Sequence, residues 1–454
     1  MNLPKYFLAD LPPEATLRPL MLREACQTLK RNREHFLVPR STQRLVEVLC
    51  EVAANWLNPD YPLRQLALAR APAATGFSAP TLAAGLEAFF RELTPAGFQN
   101  LLEQDLGHAQ RLDALTVTEP DRRSRRAALA RGPELLAHLA AGNVPNPALQ
   151  ALVLGILTRS AQFVKCARGT SLLPRLFAHS LYEAEPKLGA CLEIAEWPGG
   201  QTDLETILFE EADCVTATGT DETLAAVRAR LPPRTRFLGY GHRVSFAYIA
   251  GSALAGAESR NVAAQAAADV AAWNQLGCLS PHVIYVQQRG ALPPEQFAEL
   301  LAEELARLEA AQPRGELPPA AAAVIASRRA FYEVRAAHSP DTRHWCSHGS
   351  TAWTVVFEAD PRFQLSCLNR FVYVKGVGSL TEALQGADTV RSQVSTVGLA
   401  APPDAARDLA TELARWGVPR VCPLGRMQQP PLAWRHDGRP ALADLITWTD
   451  WEHA

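Results

Sequence analysis

From about residue 133 onward the chain alternates short apolar runs with stretches whose apolar positions recur at helical spacing, and this alternation admits few architectures. Leu135-Leu136-Ala137-His138-Leu139-Ala140 leads into the turn Gly142-Asn143-Val144-Pro145 and an apolar helix through Leu157. Runs at 162–166, 191–195 and 214–218 read as strands, with helices near 172–182 and 203–210 between them. Strand, helix, strand in sequence means a parallel sheet covered by helices. Such sheets bind ligands in the loops at the carboxyl ends of their strands. The rhythm resumes after Cys278: a strand at 282–286, helices at 294–311 and 319–334, strands around 351–357 and 370–374, a helix at 380–385, a strand at 392–399, a helix at 405–416 and a strand at 420–422. Residues 1 to about 130 are helix-rich instead, with helical spacing at 41–49 and 81–90. The fold class expected is α/β, twice over.

Composition narrows the function. At 454 residues and 48% hydrophobic content, two or three domains are expected. Lys plus Arg (45) nearly balance Asp plus Glu (47), leaving a net charge of −2 with no basic footprint, so nucleic acid is not an expected partner. The short run Arg122-Arg123-Ser124-Arg125-Arg126 reads as a solvated helix start. No apolar run approaches the roughly 18 residues of a membrane span, and the N-terminal residues lack an apolar signal segment. No integral membrane segment and a cytoplasmic location are therefore expected. Nine scattered cysteines without a CxxC pair argue for reduced thiols over disulfides or a zinc cage. His344-x-Cys346-x-His348 is the one local cluster of metal-ligand types, and lacking a fourth ligand it is read without a metal.

One cysteine sits where reactivity is plausible. Cys278 follows Asn274-Gln275-Leu276-Gly277, where an Ala-rich helical stretch at 261–273 gives way to the strand that starts near Pro281. A thiol at such a junction can be held against backbone N–H groups that stabilise a thiolate and later an oxyanion. Taken singly, Cys278 reads equally as a small buried apolar residue, and Asn143 as a turn cap beside Pro145.

Five stretches in this order carry a resemblance to the aldehyde dehydrogenase superfamily, most closely to the LuxC-type acyl-CoA reductases, over about 135–449. They are Gly142-Asn143-Val144-Pro145, Phe163-Val164-Lys165, Thr218-Gly219-Thr220-Asp221-Glu222, Asn274-Gln275-Leu276-Gly277-Cys278, and the tail from Pro423-Leu424-Gly425-Arg426-Met427-Gln428 to Trp434-Arg435-His436-Asp437-Gly438-Arg439-Pro440. The resemblance implies an aldehyde-dehydrogenase-like fold of two Rossmann-like parallel-sheet domains with a small bridging or oligomerisation element. It implies a cofactor-binding domain with a helical N-terminal region at 1–245, a catalytic cysteine domain at 246–430 and a return segment at 431–454. It further implies that Cys278 is the nucleophile, that Asn143 donates to the oxyanion, that Lys165 meets the adenosine ribose and that Gly219 and Thr220 face the pyrophosphate.

Two departures refine the expectation. Where hydrolytic relatives carry a water-activating glutamate, this chain has Arg236-Phe237-Leu238-Gly239-Tyr240-Gly241-His242, without a carboxylate. His242 is open between a core histidine and an acid/base group. Arg168 stands three residues after Lys165, where a carboxylate often binds the ribose 2′-hydroxyl; a guanidinium there favours a 2′-phosphate and hence NADPH. The expected function is NADPH-dependent reduction of an acyl-CoA or acyl-carrier thioester to the aldehyde through an acyl-cysteine. The chain is expected to be a homo-oligomer with an acyltransferase or ligase partner. The alternative is an acyl-transfer or assembly subunit of the same fold without reductase activity.

Overall fold

A computed structural model describes residues 3–12, 14–140 and 142–452; Met1 and Asn2, at the start of the segment read for a targeting signal, lie outside them. Its strands are β1 (Arg126–Arg131), β2 (Leu135–Leu139), β3 (Ala161–Cys166), β4 (Leu192–Glu196), β5 (Cys214–Thr218), β6 (Arg236–Tyr240), β7 (Val244–Ile249), β8 (Pro281–Gln287), β9 (Thr342–Cys346), β10 (Thr354–Glu358), β11 (Phe371–Val377), β12 (Val394–Ala400), β13 (Val421–Pro423) and β14 (Thr447–Glu452). The chain divides into two compact units. The first comprises Met1–Thr75, Leu86–Gly241 and Pro431–Ala454; the second comprises Gly76–Gly85 and His242–Pro430.

The first unit is built on a parallel five-stranded sheet in the order β4-β3-β2-β5-β6. Strand order reverses direction between β2 and β5, which opens a crevice at the carboxyl ends of those two strands. One face buries Leu135, Ala137, Phe163 and Val215 against Leu22, Cys26 and Leu29 of the helix Pro19–Asn32 and Leu208 and Phe209 of the helix Thr202–Glu211. Each such large apolar side chain contributes about 1.5–3 kcal/mol. The other face carries a polar row across three strands: His138 Nδ1 is 2.7 Å from Thr216 Oγ1 and its Nε2 is 3.0 Å from Gln162 Oε1. Burial pushes His138 down to about 4, so it sits there as a neutral hydrogen-bonding group. Gln162 also donates to the Leu152 carbonyl (3.1 Å), tying the row to the helix Asn146–Leu157.

One residue gathers several of the contacts to the N-terminal helices. Arg159, in left-handed conformation (φ 53°), donates to the carbonyls of Arg40 and Leu112 (both 2.8 Å) and to Thr42 Oγ1 (3.1 Å), and it pairs with Asp113. The basic run at 122–126, read as a helix start, instead ends the short helix Glu119–Arg123 and leads into β1: Arg122 and Arg123 are exposed and pair with Glu119, while Arg126 reaches the buried Asp121 at 3.1 Å. β1 pairs antiparallel with β14, from Arg126↔Glu452 to Arg131↔Thr447, which is why the C-terminal stretch belongs to this unit.

The second unit holds a seven-stranded sheet, β13-β12-β7-β8-β11-β10-β9, parallel except for β9. The helices Glu258–Ala271 and Pro294–Ala311 cover one face around Ile284, Phe297 and Leu301; the other face packs Phe246, Tyr285 and Tyr373 against Ile325 and Leu413. The segment Gly76–Gly85 joins this unit because the Trp273 indole lies on Gly85, where any Cβ would overlap it, and Phe77 meets the same ring edge-on at 5.3 Å. Among the described residues no helix is long and apolar enough to cross a membrane, and no group of three metal-ligating side chains occurs.

Candidate active site

In the first unit, the residues singled out from the sequence fall at or just beyond the carboxyl ends of its strands. Asn143 is exposed on the turn after β2. Lys165, the penultimate residue of β3, is buried with its ammonium 5.9 Å from the centre of the Trp197 ring. Burial lowers its pKa, and the carboxylate of Glu205 acts the other way. Glu205 is itself fixed by the Gly200 N–H (3.1 Å) and by Arg230. Arg168 is exposed on the turn after β3, which Glu196 at the end of β4 pins by accepting from the N–H groups of Gly169 (2.7 Å) and Ser171 (3.3 Å). A ligand phosphate at that turn would thus meet a guanidinium and a carboxylate together. Gly219 and Thr220 follow β5, and Thr220 Oγ1 caps the helix Asp221–Arg228 through the Thr223 N–H at 3.3 Å.

The Cys278 loop in the second unit departs from the helical reading of 261–273. The helix stops at Ala271, and Trp273, Asn274 and Gln275 take left-handed conformations (φ 49°, 51° and 65°). Each costs about 1 kcal/mol or more for a residue other than glycine, so partners must hold them. Asn274 Nδ2 donates to the Arg314 carbonyl (2.8 Å), and its Oδ1 accepts from Arg370 Nε (3.2 Å). Gln275 donates to the Pro281 carbonyl (2.8 Å) and accepts from the Phe371 N–H (2.9 Å), so it bridges the starts of β8 and β11. A second left-handed run, Leu368, Asn369 and Arg370 (φ 58°, 56° and 65°), carries the completely buried Arg370, whose Nη1 pairs with Glu309 at 2.7 Å.

On the other side of the cysteine, register shifts in the β7 pairings with both β8 and β12 bracket Ser245. Its hydroxyl donates to the Cys278 carbonyl at 2.7 Å and accepts from the Thr396 N–H at 3.2 Å. Gln428 Nε2 donates to Ser280 Oγ (2.6 Å) and lies 3.5 Å from the Gly277 carbonyl. A Cβ on Gly277 would sit 2.5 Å from that nitrogen, so glycine is what lets the carboxamide close on the loop. Cys278 is half-buried, whereas Cys166, Cys191 and Cys214 are buried with thiols pushed up to about 12 by desolvation. The access that nucleophilic chemistry requires sets Cys278 apart from those three.

Sequence reading had not marked Ser245, Arg370 or Gln428 as supports. A readable signal was the asparagine central to both left-handed runs, a residue that tolerates this conformation. Leu238, within the segment compared with the glutamate-bearing segment of hydrolytic relatives, is buried in β6. His242 is exposed; burial, with a smaller contribution from His242, lowers His282 to about 4.

The fold is that of the aldehyde dehydrogenases: an NAD-dependent benzaldehyde dehydrogenase from Corynebacterium glutamicum superposes with a TM-score of 0.68 at 11% identity, covering 96% of this chain and 91% of that one. The family model described as acyl-CoA reductase (LuxC) matches residues 37–448, and the chain belongs to that family. It is 22% identical over 422 residues to the long-chain acyl-protein thioester reductase of Photorhabdus laumondii subsp. laumondii, 90% of this chain and 82% of that one. It is 24% identical over 324 residues to the enzyme of the same name from Aliivibrio fischeri, 69% of this chain and 63% of that one.

Family and fold together imply a nicotinamide cofactor, and the carboxyl edge of the five-stranded sheet fits one. Ideal Cβ positions at Gly169, Gly199 and Gly200 have nothing within 4 Å, so the backbone of two neighbouring loops is open to close approach. Lys165 and the helix start capped by Thr220 lie at the same edge.

Proposed function

We propose that the chain reduces an acyl thioester, with acyl-CoA as the working substrate, to an aldehyde through an acyl-cysteine on Cys278. The observation that carries this reading is a half-buried thiol on a loop immobilised from both sides, by Asn274 and Gln275 before it and by Ser245 and Gln428 after it. A nucleophile held in one place keeps the attack from being an entropic search. Cys278 Sγ bonds to the thioester carbonyl carbon, the C–S bond to the departing thiol breaks, and that sulfur leaves as a thiolate that takes up a proton. When bound, the nicotinamide cofactor supplies the hydride that reduces the acyl carbon. The thiohemiacetal on Cys278 then gives up its hydroxyl proton and its C–S bond, releasing aldehyde and regenerating the cysteine. Without a carboxylate in 236–242, the segment lacks the glutamate that activates water against the acyl-enzyme in hydrolytic relatives. Oxidation of NADPH on addition of an acyl-CoA series, with the aldehyde trapped and identified, tests the reaction; acid without aldehyde would reject it.

Asn143 is proposed as the oxyanion donor by its match to the family turn. Asn143→Ala should lower kcat by about 10²-fold or more while leaving cofactor affinity nearly unchanged. A loss confined to KM would contradict that role.

NADPH is proposed over NADH on the strength of Arg168. A guanidinium facing a 2′-phosphate gains about 1.5–3 kcal/mol from charge-assisted hydrogen bonds, which is roughly ten- to a hundredfold in affinity. Glu196, which reaches that turn from the end of β4, works against this, so the lower end is expected. Arg168→Glu should erase the preference without affecting acylation of Cys278, as read from paired NADPH and NADH titrations. An unchanged ratio would leave Arg168 a solvated surface residue.

A further inference from the structure

A buried carboxylate and a buried guanidinium border the Cys278 loop. Asp269, on the helix that leads into it, accepts from the N–H groups of Gly425 (2.6 Å) and Met427 (2.9 Å). Arg420, immediately before β13, donates to the carbonyls of Met427 (2.6 Å) and Arg426 (3.0 Å) and lies 3.5 Å from Thr396 Oγ1. The turn 425–428 is thus gripped by a carboxylate through its N–H groups and by a guanidinium through its carbonyls. That turn presents Gln428 to Gly277 and Ser280, on either side of the cysteine. Thr396 leads to the same place by another route, through the Ser245 hydroxyl to the Cys278 carbonyl.

We propose that Arg420 is a positioning residue for Cys278, fixing its loop through the turn 425–428 and favouring the thiolate with a permanent buried charge. This deepens the reading of Cys278 as the nucleophile and rests on it. Arginine stays protonated even when desolvated, and a cation near a thiol lowers its pKa. Buried charges are screened little by salt. The charged and titratable groups acting on Arg420 are Cys422, Asp269, Arg426 and Cys278 itself. Burial pushes Cys422 up to about 11, so it is neutral at physiological pH. Burial also raises Asp269 to about 7; protonating it removes a negative charge that otherwise offsets Arg420.

The test is the pH dependence of Cys278 alkylation by iodoacetamide, followed by mass spectrometry of the Cys278 peptide in the full-length protein. Arg420→Met should move the midpoint up by about one pH unit, slowing alkylation about tenfold below it. Arg420→Lys, which keeps the charge, should restore most of the rate. A purely structural role would not move the midpoint, and an unchanged midpoint in a folded Arg420→Met variant overturns the inference. Should that variant not fold, Asp269→Asn takes its place: removing the opposing charge should lower the midpoint, and an unmoved midpoint overturns the inference equally. Acyl transfer to Cys278 with an unshifted midpoint refutes the role of Arg420 alone. A shifted midpoint in a protein that accepts no acyl group refutes the proposed reaction alone.

Discussion

Cys278→Ser is expected to abolish covalent acyl labelling from a radiolabelled acyl-CoA and to cut turnover by about 10³-fold or more. A serine hydroxyl in this loop has no general base supplied by the four supports described above, and it is negligibly ionised near neutral pH. The substitution should leave the fold intact, because these supports hold the loop through other atoms: Ser245 takes the Cys278 carbonyl, and Gln428 takes Ser280 and the Gly277 carbonyl. The native circular dichroism and melting curve of the serine variant would therefore assign the loss to chemistry. Label that persists, carried by any of the other eight cysteines of the nine, would end the mechanism.

Arg370→Met should destabilise the second unit by about 3 kcal/mol, the range for removing one partner of a buried pair. Arg370 is wholly buried, and its loss strips Glu309 of a 2.7 Å ion pair and Asn274 of a donor at 3.2 Å. Glu309 keeps the Arg314 N–H and some solvent, which holds the cost below the top of that range. The left-handed run at 273–275 would lose one of its anchors at the same time, so activity should fall more steeply with temperature than in the wild type. Urea unfolding followed by a probe in the second unit measures the first effect. A change under about 1 kcal/mol would show that water replaces the guanidinium, and the loop would then owe its shape to Gln275 and Arg314.

Several of the strands legible in the sequence are largely buried. β3, β5 and β8 are short, mainly apolar runs flanked by turn residues, and the structure places them within a residue or two of where they were read. β14 was not legible for the converse reason: all six residues of Thr-Trp-Thr-Asp-Trp-Glu are exposed, so no buried face imposes a pattern, and its partner β1 lies far away in sequence. β7 is not among the strands the sequence reading picks out, although Val-Ser-Phe-Ala-Tyr-Ile carries a strand composition. The family's motifs marked Asn143, Lys165, Arg168, Gly219, Thr220 and Cys278 for the site. The supports of Cys278 were invisible because Ser245, Arg370 and Gln428 are ordinary residue types whose roles arise only from strand register and left-handed backbone.

The pairing of β1 with β14 bears on the order in which the molecule can be made. A ribosome finishes residues 126–131 long before it reaches 447–452, and the continuous stretch 242–430 of the second unit is synthesised between them. Until β14 emerges, β1 has an unsatisfied ladder edge, and Arg236 lacks the carbonyls of Asp444 and Ile446 that it binds in the finished fold. The first unit therefore begins folding first and closes last, and through that interval it is exposed to pairing with the wrong strand.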